Sequence, residues 1–219
     1  MFPKSIYSSF RIKKNGVSHL FIGLADIGLY NAEMSENKEI TAPLTDATVH
    51  RLRAGDEVLI SGTVLTARDQ AHKRLCELIK QGQPLPVDLD GALIYFVGPT
   101  PAAPGRVIGA AGPTTSARMD AFTPTLLAHG VRGTLGKGYR DRTVRDALVK
   151  YGAVHLVTIG GAGALLSKHI IKSEIIAYED LGTEAIRLLE FKDFPAFVAY
   201  DCQGNSVYDK DSNRECTRI

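Results

Sequence analysis

The pattern of apolar and polar positions along the chain predicts alternating strands and helices. Short apolar runs bounded by turn residues are typical of buried strands, and apolar residues three or four positions apart are typical of helices. The predicted strands cover residues 56–66, 91–97, 106–111, 131–135, 154–159, 171–178 and 194–201. The predicted helices cover residues 45–51, 68–81, 121–129, 140–151, 164–169 and 181–189. Alternation of this kind predicts an α/β domain.

The last part of the chain indicates what kind of sheet this domain contains. Gln203-Gly204-Asn205 is a turn sequence between apolar residues, so it predicts an antiparallel hairpin and therefore a mixed sheet. We expect three regions along the chain: a poorly defined N-terminal extension over residues 1–37, the organised domain over residues 38–208, and a charged, frayed tail over residues 209–219. The extension is either a loosely attached segment or a pair of short strands.

Composition and charge argue against several classes of protein. The 219 residues are 44% hydrophobic and 23% charged with a formal net charge of +2, which favours neither nucleic acid nor an anionic membrane as a partner. No apolar run approaches the roughly 18 residues that span a bilayer, and the start of the chain lacks the features of a secretory signal. The cysteines, Cys76, Cys202 and Cys216, are far apart in sequence. That spacing suits a reducing cytoplasm and argues against a metal cluster held by this chain alone.

Hydroxyl and basic side chains gather where predicted strands end and helices begin. The most distinctive run is Gly112-Pro113-Thr114-Thr115-Ser116-Ala117-Arg118-Met119-Asp120. Backbone N–H groups and hydroxyls at a helix start favour an anion, and the Arg118 guanidinium suits a carboxylate. Arg68 and Lys137 follow two other predicted strands. Because ligands collect at the carboxyl ends of strands in α/β sheets, the three cations could bind a small dicarboxylate.

Each of these residues also has a simpler structural interpretation. The hydroxyl-rich run could be an ordinary helix N-cap followed by a solvated arginine. Arg68 could be a surface cation or could pair with Asp69 or Glu77, and Lys137 could be solvated. His72 could form an acid–base pair with Asp69, although support of the helix is the simpler role for it.

Two glycine patterns resemble nucleotide-binding loops, and both are incomplete. Gly136-Lys137 lacks the Gly that a phosphate loop needs at Val131 and the Ser or Thr that it needs at Gly138. The glycine-rich run over residues 160–163 lacks the third glycine of the dinucleotide fingerprint, because that position is Leu166. We therefore interpret residues 160–163 as a close approach of a helix and a strand.

Six motifs, taken in order, resemble the β subunit of class I fumarases, with the L-tartrate dehydratase β subunit as the close relative. They are Ser61-Gly62-Thr63, Arg68-Asp69-x-Ala71-His72, the run from Gly112 to Asp120, Gly136-Lys137-Gly138-x-Arg140, Ile159-Gly160-Gly161 and Asp193-Phe194-Pro195-Ala196-Phe197-Val198. The resemblance covers about residues 38–208 and implies a swivelling β/β/α domain. It also implies a hydro-lyase that adds water reversibly across the double bond of fumarate to give malate.

The chain departs from the family's pattern beside one of these motifs. Tyr139 stands where the family usually has Asn, and Asp141 stands where it usually has Ser. Ala117 and Cys202 replace a frequent Gly and a second Asp. Because Tyr139 and Asp141 flank Lys137, L-tartrate or another 2-hydroxy diacid stays open as the substrate beside fumarate.

The resemblance implies roles for single residues. Arg68, Arg118 and Lys137 match the family's ligands for the substrate carboxylates. Thr114 matches the hydroxyl that exchanges the carbon-bound proton, either as the base or as a hydrogen-bond donor to substrate. The family's 4Fe-4S cluster is held by three cysteines of the other half of the enzyme, and the cysteines of this chain match none of them.

From this likeness we expect a β subunit that completes the active site of a cluster-bearing α subunit, in an α₂β₂ assembly, and that is inactive alone. A second class of function stays open, namely a dicarboxylate-binding module that kept the anion site without catalysis. A nucleotide-dependent enzyme would need a phosphate loop that the sequence does not complete.

Overall fold

The computed structural model describes residues 10–14, 17–21 and 37–209. The chain divides into two compact units, Met1–Ser35 and Glu36–Ile219. In the first unit, strands β1 (Phe10–Lys14) and β2 (Val17–Phe21) pair antiparallel, as in the pair of short strands considered for the extension. The predicted tail lies outside the described residues, apart from its first residue, Asp209.

A seven-stranded mixed sheet forms the second unit. Its strands are β3 (Lys38–Ala42), β4 (Glu57–Thr66), β5 (Leu93–Tyr95), β6 (Gly133–Gly136), β7 (Val154–Val157), β8 (Ile170–Ala177) and β9 (Ile186–Tyr200). Strands β3 to β7 are parallel neighbours, whereas β9 runs antiparallel to β4, β7 and β8. The α/β class and the mixed sheet are therefore confirmed.

Helices follow most of the parallel strands. They are α1 (Asp46–Arg51), α2 (Asp69–Lys80), α3 (Thr123–Ala128), α4 (Arg142–Tyr151) and α5 (Gly163–Leu166), with 3₁₀ turns at Ser116–Met119, Ser167–His169 and Glu179–Glu184. Local sequence explains several of their ends. Thr45 caps α1 by accepting a hydrogen bond from the Thr48 N–H, as its sequence predicts, and Asp141 caps α4 through the Val144 N–H.

The core lies on both faces of the central strands. In β5, Leu93 and Tyr95 pack in one buried cluster with Phe191 and Phe194 of β9, while Ile94 packs in a second cluster with residues of α2, α3 and α4. Side chains alternate between the two faces of a strand, so the two faces of β5 belong to different clusters, and the second of these clusters contains the residues of α2, α3 and α4.

Two predicted elements are wrong. Residues 106–111 form no strand: the Tyr95 hydroxyl donates to the Ala111 carbonyl over 2.7 Å, and the Ala111 N–H donates to the Gly163 carbonyl over 3.0 Å. Only Ile108 and Ala111 of this run are buried, whereas Val107 is 49% exposed, so the run does not have the burial of an inner strand.

The other error is the helix predicted over residues 181–189. Residues 179–184 are a 3₁₀ turn, and β9 begins at Ile186. Its segment Leu188 to Phe191 pairs with both β4 and β8, so sheet pairing overrides the local helical spacing.

The hairpin after β9 is reduced to a single bridge between Tyr200 and Ser206. Among the described residues no helix is long and apolar enough to cross a lipid bilayer.

Candidate functional site

The carboxyl ends of four neighbouring parallel strands meet at one edge of the sheet. Arg68 follows β4, Lys137 follows β6 directly, and Gly160 follows β7. Thr114 belongs to a loop that docks on the end of β5, because its N–H donates to the Phe96 carbonyl over 2.7 Å. The topology therefore collects the predicted clusters at one place, as expected for parallel strands.

Thr114 and Lys137 are tied together through their backbones. The Lys137 N–H donates to the Thr114 carbonyl over 3.2 Å, and the Ser116 N–H donates to the Lys137 carbonyl over 2.9 Å. The absence of a side chain on Gly136 allows this approach, since a Cβ there would lie 2.3 Å from Ser116 Oγ and 2.9 Å from Phe96 Cδ2. The two loops are thus held in a fixed register.

The hydroxyl-rich run does not lead directly into the regular helix that the sequence had predicted. Ser116–Met119 is one 3₁₀ turn, and Thr115, at its N-cap, makes no side-chain capping bond. The regular helix α3 begins only at Thr123. Within the described part of the chain, no hydrogen bond engages the half-buried Thr114 hydroxyl, so that hydroxyl is available to a ligand.

Arg118 and Arg68 share one carboxylate. The Asp69 carboxylate accepts Arg118 Nε over 3.0 Å and lies 2.9 Å from Arg118 Nη2, and it also lies 3.9 Å from Arg68 Nε. Glu184 approaches Arg68 from its other end, with 3.6 Å between Oε1 and Nη2. The Arg118 side chain is 50% exposed and that of Arg68 only 20%. The alternative pairing of Arg68 with Asp69 is thus present in the structure.

The neighbours of Arg68 explain its position. Its Nη1 passes over Gly98, where a Cβ would lie only 2.5 Å away. Glu184 also accepts the Gln70 N–H over 2.9 Å, which joins the 3₁₀ turn before β9 to the start of α2. Glu77, the other partner considered for Arg68, pairs instead with Lys73 over 4.0 Å.

Lys137 is exposed and makes no ion pair with any residue in the described ranges. Its chain passes over Gly160, at 3.5 Å from Cδ to a Cβ placed there. The close approach expected for residues 160–163 has a different partner from the one predicted: a Cβ on Gly163 would lie 2.8 Å from the Gly112 nitrogen. The glycine run therefore packs α5 against the Gly112 loop, and not against a strand as predicted.

A buried ion pair lies next to these loops. Arg140 Nε donates to Asp120 Oδ1 over 2.6 Å, and the Asp141 N–H donates to Asp120 Oδ2 over 2.8 Å. Arg140 also donates to the hydroxyls of Thr123 and Thr134 over 2.6 and 3.3 Å. Burial lowers the pKa of Arg140, and the Asp120 charge opposes that shift. The pair joins the end of the Thr114 loop to the end of the Lys137 loop.

In the sequence, Asp120 and Arg140 were recognised only as members of two motifs, and their pairing was not predicted. His155 completes this buried cluster, with its Nδ1 3.3 Å from Arg140 Nη1. Burial, and then the Arg140 charge, hold the pKa of His155 well below its usual range. Because arginine only donates, Nδ1 of this neutral histidine is the acceptor. The one sequence signal for the Asp120–Arg140 pair was that opposite charges stand at the ends of two motifs.

His72 has a structural role. It is fully buried, its Nδ1 lies 2.9 Å from the Arg68 carbonyl, and its ring packs edge-on against Phe96. Burial lowers its pKa to about 4, so the ring is neutral near pH 7. The support of the helix start is therefore the interpretation that the geometry favours over an acid–base pair with Asp69.

The described residues do not fit an iron–sulfur cluster. In that part of the chain no three His, Cys, Asp or Glu side chains converge as metal ligands. Cys76 and Cys202 are buried free thiols whose sulfurs face the carbonyls of Phe122 and Val49, and burial raises the pKa of both. A cluster ligand must be a thiolate, and these environments disfavour one.

Comparison with known proteins decides the family. The sequence model of the family described as the fumarase C-terminus matches residues 25–211. This chain belongs to the fumarase C-terminus family. The match extends on both sides of residues 38–208, the part over which the resemblance was expected.

Individual relatives agree with the family. The chain is 40% identical to fumarate hydratase 2 of Leishmania major over 158 residues, which are 71% of this chain and 28% of that protein. It is 39% identical to the anaerobic class I fumarate hydratase of Escherichia coli (strain K12) over 181 residues, 82% of this chain and 32% of that one. The chain thus spans about a third of the length of these fumarate hydratases.

A shorter relative matches almost end to end. The "Putative L(+)-tartrate dehydratase subunit beta" of Methanocaldococcus jannaschii is 35% identical over 173 residues, which are 76% of this chain and 89% of that protein. The predicted resemblance to class I fumarases and to a tartrate dehydratase β subunit is therefore confirmed.

Proposed function

We propose that this fumarase C-terminus chain supplies the substrate-carboxylate ligands and a proton-transfer hydroxyl to a hydro-lyase that interconverts fumarate and malate. The observation that carries the proposal is the convergence of Arg68, Thr114, Arg118 and Lys137 at one edge of the sheet. Membership in the fumarase C-terminus family supports the choice of reaction.

The three cations suit the charge that the reaction develops. In the dehydration of malate, the bond between a proton and the carbon beside one carboxylate breaks, its electron pair forms the double bond, and the hydroxyl of the next carbon departs, so that water is the second product. Negative charge grows on the carboxylate next to the carbon that loses its proton. Fixed guanidinium and ammonium groups stabilise that charge without reorganising, which is how preorganised sites lower a barrier.

Thr114 is assigned to the proton. Its hydroxyl is half-buried, and the Thr114 backbone is bonded to that of Lys137. A threonine hydroxyl is a very weak acid, so it acts as a base only where a neighbouring cation stabilises its oxyanion. Lys137, which has no ion-pair partner among the residues described, is the group that we assign to this task. As a hydrogen-bond donor to substrate, Thr114 needs no such help.

The proposal requires a partner chain. A 4Fe-4S cluster of the kind that class I fumarases use would have to be held by that partner, because the described residues of this chain offer no ligand set for it. We propose a cluster-bearing α subunit in an α₂β₂ assembly, and the relative whose name contains "subunit beta" supports a subunit role. The free thiols Cys76 and Cys202 support a reducing, cytoplasmic location.

L-tartrate is the second candidate substrate. The chain covers 89% of the tartrate dehydratase relative, far more than of the fumarate hydratases. Tyr139, beside Lys137, is 66% exposed, and its ring lies 4.3 Å from that of Tyr208. A tyrosine there changes the rim of the site, where the hydroxyls of a substrate other than malate would contact the protein.

The test is reconstitution. The chain is produced anaerobically together with the proposed cluster-bearing α subunit, and fumarate absorbance is followed with malate, L-tartrate and methylfumarate assayed in parallel. Turnover of fumarate or malate by the complex, and none by either chain alone, is the expected result. A fully clustered complex without activity on any of these acids would refute the hydro-lyase. Tight malate binding by the isolated chain would then favour the dicarboxylate-binding module.

A further inference from the structure

Asp69 lies between the two arginines of the site and contacts both. It is the first residue of α2, next to Arg68, and it reaches Arg118 on a loop 49 residues later. The contact with Arg118 consists of one hydrogen bond, from Nε to Oδ1 over 3.0 Å, and one ion-pair contact, with Nη2 2.9 Å from Oδ2. A charged hydrogen bond with a second contact beside it restricts the orientation of a guanidinium as well as its position.

This arrangement leaves a defined part of Arg118 for a ligand. The Nε and Nη2 edge is occupied by Asp69, so Nη1 and the outer hydrogen of Nη2 are the donors that remain. The Arg118 side chain is still 50% exposed, whereas the Asp69 side chain is only 24% exposed. The guanidinium is therefore more accessible to a ligand than the carboxylate that pairs with it.

The carboxylates also remove a repulsion. Two guanidinium groups held near one point repel each other, and a carboxylate between them cancels that repulsion at short range. Asp69 lies 3.9 Å from Arg68 and Glu184 lies 3.6 Å from it. The formal charges of Arg68, Arg118, Asp69 and Glu184 sum to zero. The arginines thus act on a ligand through directed hydrogen bonds, and Lys137 provides the net charge.

We propose that Asp69 is a positioning residue for substrate: it holds Arg118 and Arg68 side by side, with their free N–H groups toward the substrate carboxylate. The proposal rests on the proposed function of this site and adds a residue to it. A merely structural role is the alternative, because an acidic residue in the first turn of a helix is stabilising in itself. The two roles predict different kinetic effects.

The kinetic test uses the reconstituted complex. We expect Asp69→Ala to raise KM for malate by about tenfold or more, equivalent to about 1.4 kcal/mol, with a smaller change in kcat, because a loosely held Arg118 binds the carboxylate less well. Asp69→Asn keeps one acceptor for Arg118 Nε, so its KM should lie between those of the wild type and Asp69→Ala. An unchanged KM in Asp69→Ala, even with a lower melting temperature, would overturn the proposal.

Asp180 offers a matched control. It also pairs with an arginine, Arg74 of α2, by accepting hydrogen bonds from Nη1 and Nη2 on the exposed side of that helix. Asp180→Ala therefore removes an ion pair of the same kind outside the site, and wild-type KM and kcat are expected. A rise in KM equal to that of Asp69→Ala would show a general effect of α2 and would also overturn the proposal.

A second readout does not depend on activity. In the ¹H–¹⁵N spectrum of the isolated chain, the Arg118 Nε–H signal, assigned through its loss in Arg118→Lys, should exchange slowly with water. We expect Asp69→Ala to broaden or shift it and Asp180→Ala to leave it unchanged. An Arg118 signal that does not respond to Asp69→Ala refutes the proposal that Asp69 holds Arg118. An inactive wild-type complex in which the Arg118 signal does respond to Asp69→Ala refutes only the proposed reaction.

Discussion

Two arginine–carboxylate pairs lie close to the sheet edge of this chain, and they differ in exposure. The Arg140–Asp120 pair has side chains 0% and 9% exposed, whereas in the Arg118–Asp69 pair they are 50% and 24% exposed. Arg140 has further partners in Thr123 and Thr134, so its donors are used within the protein. Arg118 contacts only Asp69 among the described residues and keeps donors free.

The difference separates a pair that holds the loops from a pair that leaves arginine donors accessible to solvent. A buried pair is retained because removing either partner leaves an uncompensated charge away from water. A half-exposed pair contributes little to stability, since water and ions replace the partner at small cost. The first pair therefore fixes the loops that carry Thr114 and Lys137, and the second presents an arginine to the solvent. Four changes should separate the two regions.

Among the substitutions, the largest effect on stability is expected from Asp120→Ala. It leaves the Arg140 guanidinium buried without its carboxylate, and breaking a buried pair in this way costs about 3–5 kcal/mol. Urea unfolding of the isolated second unit or of the whole chain measures it. The control is Asp146→Ala, which breaks the exposed Arg142–Asp146 pair of α4 and should leave the free energy of unfolding near that of the wild type. Equal losses in the two variants would contradict the distinction.

Mild acid should act on the buried region in the same direction. His72, with a folded-state pKa of about 4 against the usual 6.5, and His155 take up protons more readily in the unfolded chain. Stability is therefore fully present above pH 6.5 and falls as the pH drops from 6.5 towards 4, by up to about 1.4 kcal/mol per pH unit for each histidine. Urea midpoints measured across this range check the slope. A His72→Gln variant should show a shallower slope than the wild type, and an unchanged slope would contradict this assignment.

A smaller loss is expected from Gly136→Ala, which acts on the contact between the Thr114 and Lys137 loops. The added Cβ would overlap Ser116 Oγ and Phe96, and forced overpacking of this kind costs about 1–3 kcal/mol. Thermal unfolding measures the loss. Gly112→Ala is the matched control, because the nearest atom to its Cβ is at an ordinary 3.5 Å. If both variants had the same melting temperature, the register of the two loops would not depend on Gly136.

The smallest effect on stability is expected from Arg118→Ala. Only a half-exposed pair is lost, so the free energy of unfolding should change by less than about 1 kcal/mol, while turnover by the reconstituted complex is abolished. Circular dichroism and the fumarate assay measure the two effects on the same preparation. Arg142→Ala, on an arginine whose side chain is 93% exposed, should be neutral in both. An unfolded Arg118→Ala variant would place Arg118 with the structural residues.

Much of this arrangement could be predicted from local sequence. Thr45 as a cap, α2 and α4 with their apolar faces, and β4 are set by residues within a few positions of each other, and local signals are sufficient for them. Arg68 and Lys137 were expected at one edge because parallel strands present their carboxyl ends together. The failures, at residues 106–111 and 181–189, are segments whose backbones bond to distant partners: the Ala111 N–H donates to the Gly163 carbonyl, and residues 188–191 pair with β4 and β8.

The sequence by itself predicted the α/β class from its spacing and the family likeness from motifs that are contiguous in the chain, and the likeness in turn implied the four residues of the candidate site. Only the tertiary structure decided which carboxylate faces which arginine. Asp69 and Arg118 are 49 positions apart, so no single helix or strand brings them together. Asp120 meets Arg140 across two loops. Long-range pairing and burial are set by the packing of the whole sheet, and exposure in turn decides whether an ion pair holds the fold or is free to bind a ligand.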